Sequence, residues 1–309
     1  MRIAWLVMVG AVLGSGCVAG NLASGALVRP MRVPVVGAPA LAHEDFEVTS
    51  PDGIALMGWT FSPEGTPRGV VVLVHGKDIN RQHFSDAAAR FVGEGFAVVA
   101  YDQRAHGAST GEFVTYGEKE VPDLRAVIDV AEKKWGRGRP VVLIGESLGA
   151  AVSLQTAAVD ERVSLVVAAA SFADLSTMVS ERAPFFLDAQ ARAKAVEVAE
   201  REAGFKVADI SPVRAAREIR VPVLLLHGSE DAFVPLRHSL RIYEALGGEK
   251  AFVRLEGVGH IDVLLTAPAW EAIDAFVAKE LPAGELARSP LSLPSGERVG
   301  VRGLTASTR

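Results

Sequence analysis

The chain is poor in cysteine and in clustered charge. Its single cysteine, Cys17, excludes an intrachain disulfide and any cysteine-based metal site. The net charge is −5 with no basic cluster, which leaves no electrostatic footprint for nucleic acid. No internal repeat at solenoid spacing is present. What remains is ordinary for a globular protein with a sizeable core: 49% hydrophobic and 22% charged residues over 309 positions, enough for one large α/β domain or two small ones.

Charge is also missing between Ile3 and Val28, with Arg2 standing before the stretch. The apolar part, Ile3 to Leu13, suits a signal-peptide core better than a spanning helix. Leu13-Gly14-Ser15-Gly16-Cys17 resembles the bacterial lipobox, with the leucine one position early. Three readings follow: a lipoprotein signal that ends in lipidated Cys17, an ordinary cleaved signal, or an uncleaved anchor. All three predict export to the cell envelope, with residues 1–19 as signal or anchor. Membrane contact through the N-terminus follows if Cys17 is lipidated or the segment stays. A periplasmic or secreted protein is the alternative. Residues 20–45, with prolines at 30, 34 and 39, read as a linker. Residues 281–309, polar and without an apolar stripe, read as a disordered tail.

Between these lies the domain, residues 46–280. Phe46–Thr49 and Ile54–Thr60 flank Ser50-Pro51-Asp52-Gly53 and predict an antiparallel hairpin. Gly69–Val74, Phe96–Tyr101, Val141–Ile144, Val163–Ala169, Val221–His227 and Ala251–Leu255 are short apolar runs of the kind buried on both faces. Helical patterns alternate with them, including the stripe Val121, Leu124, Ile128, Ala131 and Trp135. The alternation predicts an α/β protein with a mostly parallel, doubly wound sheet. Residues 171–220 interrupt it with about fifty largely helical positions, expected as a small cap over the carboxyl ends of the strands. Phe172, Met178, Phe185 and Phe186 are its expected apolar lining.

Gly145-Glu146-Ser147-Leu148-Gly149 joins a buried strand to a helix. A serine between glycines at such a turn is the nucleophile elbow, tight enough to strain the serine backbone and expose its hydroxyl. A serine hydroxyl needs a positioned base. Of seven histidines, His260 lies in the loop between the last strand and the closing helix, at the sheet's carboxyl edge. His43, His83 and His238 read as solvated, and His227 as packing at a strand end or bonding to backbone. The residue that orients His260 is expected in Gly228-Ser229-Glu230-Asp231, with Asp231 preferred and Glu230 adjacent. An oxyanion hole needs two N–H donors. Leu148 supplies one, and Lys77, in the loop after Val70–Val74, is expected to supply the other.

With His75-Gly76, Asn80-Arg81, Asp102-Gln103-Arg104-Ala105-His106-Gly107, the elbow, Pro222–Gly228 with Asp231, and Gly259-His260, the chain resembles the serine α/β-hydrolase superfamily from about Phe46 to Lys279. Within it, the chain is similar to the serine-aminopeptidase-like and ABHD-type esterase and lipase group. It departs at Ala105, where that group usually carries glycine. The resemblance implies the α/β-hydrolase fold and a cofactor-free, metal-free serine hydrolase acting on a small-molecule or lipid ester. A peptidase or amidase of the same fold, and a catalytically silent envelope binding protein, are the alternatives. Asp102, Arg104 and His106 are expected to brace loops beneath the site.

Overall fold

The structure, a computed structural model, describes residues 24–183 and 187–282. Cys17 and residues 1–19, the expected lining residues Phe185 and Phe186, and nearly all of the expected tail lie outside these residues. Among the described residues no helix is long and apolar enough to cross a membrane.

Among the described residues eight strands form one sheet in the order β1-β2-β4-β3-β5-β6-β7-β8. β1 (Glu44–Thr49) and β2 (Ala55–Phe61) are the expected hairpin, and β2 also runs antiparallel to β4 (Ala97–Tyr101). The hairpin turns at Gly53, whose φ of +88° suits glycine, with its N–H on the Ser50 carbonyl. All other pairings are parallel: β3 (Val70–Val74) lies between β4 and β5 (Val141–Glu146), followed by β6 (Val163–Ala169), β7 (Val223–Gly228) and β8 (Lys250–Leu255).

The continuous apolar strands are buried on both sides because helices cover both faces. Val70, Val72 and Val74 of β3 join one core cluster, and Val71 and Leu73 join the other, as the two-residue period of a strand demands. The first cluster lies under α2 (Glu120–Trp135), α3 (Leu148–Ala157) and α7 (Arg237–Ala245). The second lies under α1 (Ser85–Gly93) and α8 (Ala267–Glu280), with Pro268 in the first turn of α8. Each fully buried valine or leucine contributes roughly 1.5–3 kcal/mol relative to exposure, so these two layers hold the sheet.

The insertion after β6 comprises α4 (Leu175–Arg182), α5 (Ala189–Ala203) and α6 (Pro212–Ala216). Asp174, Asp188 and Ser211 cap their N-termini, and Gly204 ends α5 in the left-handed conformation. Phe172 and Met178 do not line an open pocket. They are buried in the core cluster on the α3 side, Phe172 edge-on to Tyr116. Residues 24–28 are helical, Val28 is fully buried, and the chain then runs along the domain to β1.

Candidate active site

The turn from β5 into α3 holds Ser147 at φ +52°, ψ −111°, a conformation that L residues rarely adopt. Close packing around the turn requires both flanking glycines. A Cβ at Gly145 would lie 2.3 Å from the Gly149 carbonyl oxygen, and one at Gly149 would lie 1.9 Å from that of Val74. The Ser147 N–H donates to the Ala169 carbonyl at 2.8 Å, tying the elbow to β6. The result is a partly exposed hydroxyl above the sheet, at the head of a helix.

The ring of His260 meets that hydroxyl. Its Nε2 is 2.9 Å from Ser147 Oγ, and its Nδ1 is 2.7 Å from Asp231 Oδ2. His260 opens a short 3-10 turn between β8 and α8, and Asp231 follows β7. The sheet therefore brings the three side chains together at its carboxyl edge. Asp231 is buried and meets His260, whereas Glu230 is exposed.

Asp231 is itself over-determined. Its Oδ1 accepts from the N–H groups of Phe233 (2.9 Å) and Val234 (2.7 Å). Its Oδ2 accepts from His260 and lies 3.2 Å from Nε2 of His227. Burial works against its charge, but the hydrogen bonds from His227, His260 and the Val234 N–H outweigh it and hold the carboxyl well below the usual carboxylate range. An ionised Asp231 requires the proton of His260 on Nδ1, leaving Nε2 to accept from the serine hydroxyl.

His227 was expected to pack at its strand end or bond to backbone. It does bond backbone, with Nε2 2.8 Å from the Val234 carbonyl, but the same nitrogen also supports Asp231. Because Nε2 faces two acceptors it carries the proton, and Nδ1 accepts from Ser239 Oγ at 2.7 Å. The fully buried His-Gly strand end, four residues before Asp231, was the signal for this role.

The loop after β3 abuts the elbow. A Cβ at Gly76 would lie 3.5 Å from Ser147 Cβ, so Lys77 follows directly beside the serine. The carbonyl of Gly76 accepts from Nδ1 of buried His75 at 2.7 Å, while the His75 Nε2 accepts from the Gln103 N–H at 3.0 Å. His106 repeats the arrangement, with Nδ1 2.9 Å from the Arg104 carbonyl and Nε2 accepting from the Asp78 N–H at 3.2 Å. Burial pulls His75 down to about 4 and His106 to about 3, so both rings are neutral near pH 7. Among the described residues no acceptor bonds the N–H of Lys77 or of Leu148. The Lys77 side chain places Nζ 3.3 Å from the Asp78 carboxylate.

Asp102 and Arg104 brace this loop as expected. Asp102 is fully buried and accepts from Arg81 N–H (2.8 Å), Arg81 Nη1 (2.7 Å) and Ala108 N–H (2.8 Å). Arg104 makes a fork to Asp123 (2.7 and 2.8 Å) and a second pair with Asp52. Ala105 stands at φ +65°, which is why glycine suits the position. Two histidines expected to be solvated are not. His238 is fully buried, with Nδ1 accepting from the Ala173 N–H at 3.0 Å and Nε2 2.9 Å from Glu181. His83 Nε2 lies 2.9 Å from Glu146, the residue before the serine. His43 is half-buried, its ring 5.5 Å from that of Trp59. No cluster of three or more His, Cys, Asp or Glu that could hold a metal occurs among the described residues.

Comparison with known proteins follows the same lines. The family model for serine aminopeptidase S33 matches residues 65–201. YqkD of Bacillus subtilis (strain 168) is 27% identical over 232 residues, 70% of this chain and 72% of that protein. Monoglyceride lipase of Homo sapiens is 29% identical over 132 residues, 42% of each chain. The esterase Pf2001 of Pyrococcus furiosus superposes with a TM-score of 0.68 at 22% identity, covering 82% of this chain and all of that one. The fold is that of the α/β-hydrolases, and these likenesses support the serine α/β-hydrolase superfamily. Ser147, Asp231 and His260 come in the chain order of that fold.

Proposed function

We propose that the protein is a serine hydrolase that cleaves carboxylic esters through an acyl-enzyme. The observation that carries this reading is the unbroken chain Ser147 Oγ–His260–Asp231, with contacts of 2.9 and 2.7 Å, beside two N–H groups that meet no acceptor among the described residues. Ser147 Oγ attacks the ester carbonyl as His260 Nε2 takes its proton. The Lys77 and Leu148 N–H groups then hold the oxyanion, the latter aided by its place at the head of α3. The charged Asp231 stabilises the imidazolium, which gives its proton to the leaving alcohol oxygen as the C–O bond breaks. Water, deprotonated by His260, then releases the acid and restores the serine. No metal or organic cofactor is required by this sequence of steps.

The names of two relatives, a monoglyceride lipase and an esterase, support an acyl ester over other substrates of the fold. An amide-cleaving reading draws on the aminopeptidase name of the matching family model and on the likeness to a Pyrococcus horikoshii acylaminoacyl peptidase. The export reading of residues 1–19, with lipidation at Cys17, belongs to the same proposal. A mature chain found in the cytosolic fraction with Met1 intact overturns that part.

Hydrolysis of p-nitrophenyl esters from acetate to palmitate tests the main reading, with Ser147→Ala as control. The expected outcome is turnover that peaks at one chain length and falls by about 10⁶-fold in the variant. Fluorophosphonate labelling of wild type but not Ser147→Ala accompanies it. Labelling without ester turnover at any length moves the assignment to an amidase or peptidase. Neither labelling nor turnover leaves a binding protein.

A further inference from the structure

We propose that residues 31–36 form a strap that positions the Lys77 N–H, with Asp78 as the residue through which it acts. The proposal rests on the reading of Lys77 as an oxyanion donor. The peptide that carries this N–H is held at its other end, because the Gly76 carbonyl is bonded by His75. Its plane can still turn if the next residue is free. Asp78 is not free. It sits at φ +67°, in the left-handed region that aspartate tolerates better than most residues. Three contacts keep it there: its N–H on His106 Nε2, its carboxylate beside Lys77 Nζ, and Oδ1 accepting from the Met31 N–H at 2.7 Å.

The strap makes further bonds on both sides of this contact. Asn80 Nδ2 donates to the Val33 and Pro34 carbonyls at 3.2 and 3.1 Å. The Val36 N–H donates to Gln82 Oε1 at 2.7 Å, and Gln82 Nε2 donates back to the Val36 carbonyl at 2.6 Å. Arg32 gathers the carbonyls of Gly107 (3.3 Å), Gly111 (2.8 Å) and Ser109 in the neighbouring loop. That loop carries His106, which holds the Asp78 N–H. The strap thus grips residue 78 directly and also grips the loop that supports it. Met31, Arg32, Val33 and Val36 are all exposed, so their placement comes from these polar bonds and not from burial. The strap also lies before residue 65, where the family match begins.

The test compares full-length Asp78→Gly, Asp78→Asn and Arg32→Ala with wild type. Glycine tolerates the positive φ but cannot accept from Met31, whereas asparagine keeps both properties. Displacing a positioned donor costs rate more than binding. Asp78→Gly is therefore expected to lower kcat by about 10- to 100-fold while KM stays within about twofold. Inhibition by a trifluoromethyl ketone, whose tetrahedral adduct on Ser147 needs the same donors, weakens in proportion. Asp78→Asn restores both. If Asp78→Gly does not fold, Arg32→Ala carries the test with a smaller loss of the same pattern. Wild-type kcat in Asp78→Gly, an equal loss in Asp78→Asn, or a loss of kcat with unchanged ketone affinity overturns the proposal. Amide hydrogen exchange separates it from the functional reading. Exchange in residues 76–82 rises in Asp78→Gly if the strap positions that loop, even should wild type prove inert toward esters, and unchanged exchange there overturns the strap.

Discussion

On either side of β5 the site is held by different means. The loop after β3, which presents the Lys77 N–H, rests on a layer of buried polar groups: the neutral rings of His75 and His106, the Asp102–Arg81 pair and the Arg104–Asp123 fork. The loops after β7 and β8 converge on one carboxylate, Asp231, and the ring it orients lies partly open to solvent, with its side chain 13% exposed. A backbone donor has one correct direction and no need to move, so redundancy suits it. On the proposed mechanism His260 exchanges a proton with substrate and water, which suits a ring anchored at one nitrogen and open at the other. The difference teaches that damage should read out as lost turnover on one side and as lost stability on the other.

The largest effect is expected at the single anchor. In Asp231→Asn the amide oxygen stays on the Phe233 and Val234 N–H groups, and the NH₂ group faces His227 and His260. His260 is forced into the tautomer with its proton toward Ser147, and kcat falls by about 10⁴-fold. The melting temperature changes far less. A variant with near wild-type turnover places the orienting group elsewhere.

Asp102→Ala tests the other side. Removing this carboxylate strands the 7%-exposed Arg81 guanidinium and the Ala108 N–H. A loss of about 3–5 kcal/mol in urea unfolding follows. A loss below 1 kcal/mol, roughly a surface pair's worth, would sink the redundancy argument.

Acid should find the same layer. His75 and His106 ordinarily titrate near 6.5 but are held at about 4 and 3, so between those values only the unfolded chain binds their protons. Stability therefore falls as pH drops through 6.5, by about 1.4 kcal/mol per pH unit for each ring. Asp123, pushed up to about 6 by burial, binds its proton in the folded state and opposes this with one proton against two. The net expectation between pH 6 and 5 is a loss of about 1.4 kcal/mol, read by denaturant unfolding at the two pH values. Stability that rises over that interval contradicts neutral buried rings. The smallest effect is at Ala105. Ala105→Gly relieves the positive φ by about 1 kcal/mol but gives up a buried methyl of about 0.8 kcal/mol, so the melting temperature should stay within a few degrees.

What was legible in the sequence follows the same divide. The strands, the elbow and its two glycines, and Asp231 and His260 were readable because each is spelled by a few adjacent residues at a strand end. His238 and His83 were misread as solvated because their partners are distant. Glu181 lies 57 positions from His238, and nothing local to His83 points to the buried Glu146. The strap was invisible for the same reason. Its bonds are made largely by backbone groups, which every residue carries, to side chains 46 or 47 positions away. Proline content suggested a featureless connection, and nothing in composition distinguishes that from chain laid down in one path. The expected pocket-lining role of Phe172 failed on packing, since an aromatic residue after a sheet-centre strand is as readily core as rim.

The strand order has a consequence in time as well as in space. Ser147 and His260 are 113 positions apart, and the strand that delivers the histidine is the last of the described strands to be synthesised. A nascent chain that has emerged only as far as β7 already holds the elbow and the loop after β3, but it lacks the ring that draws the serine's proton. On the proposed mechanism, competence toward esters arrives late in translation, as a single event when β8 closes the edge of the sheet.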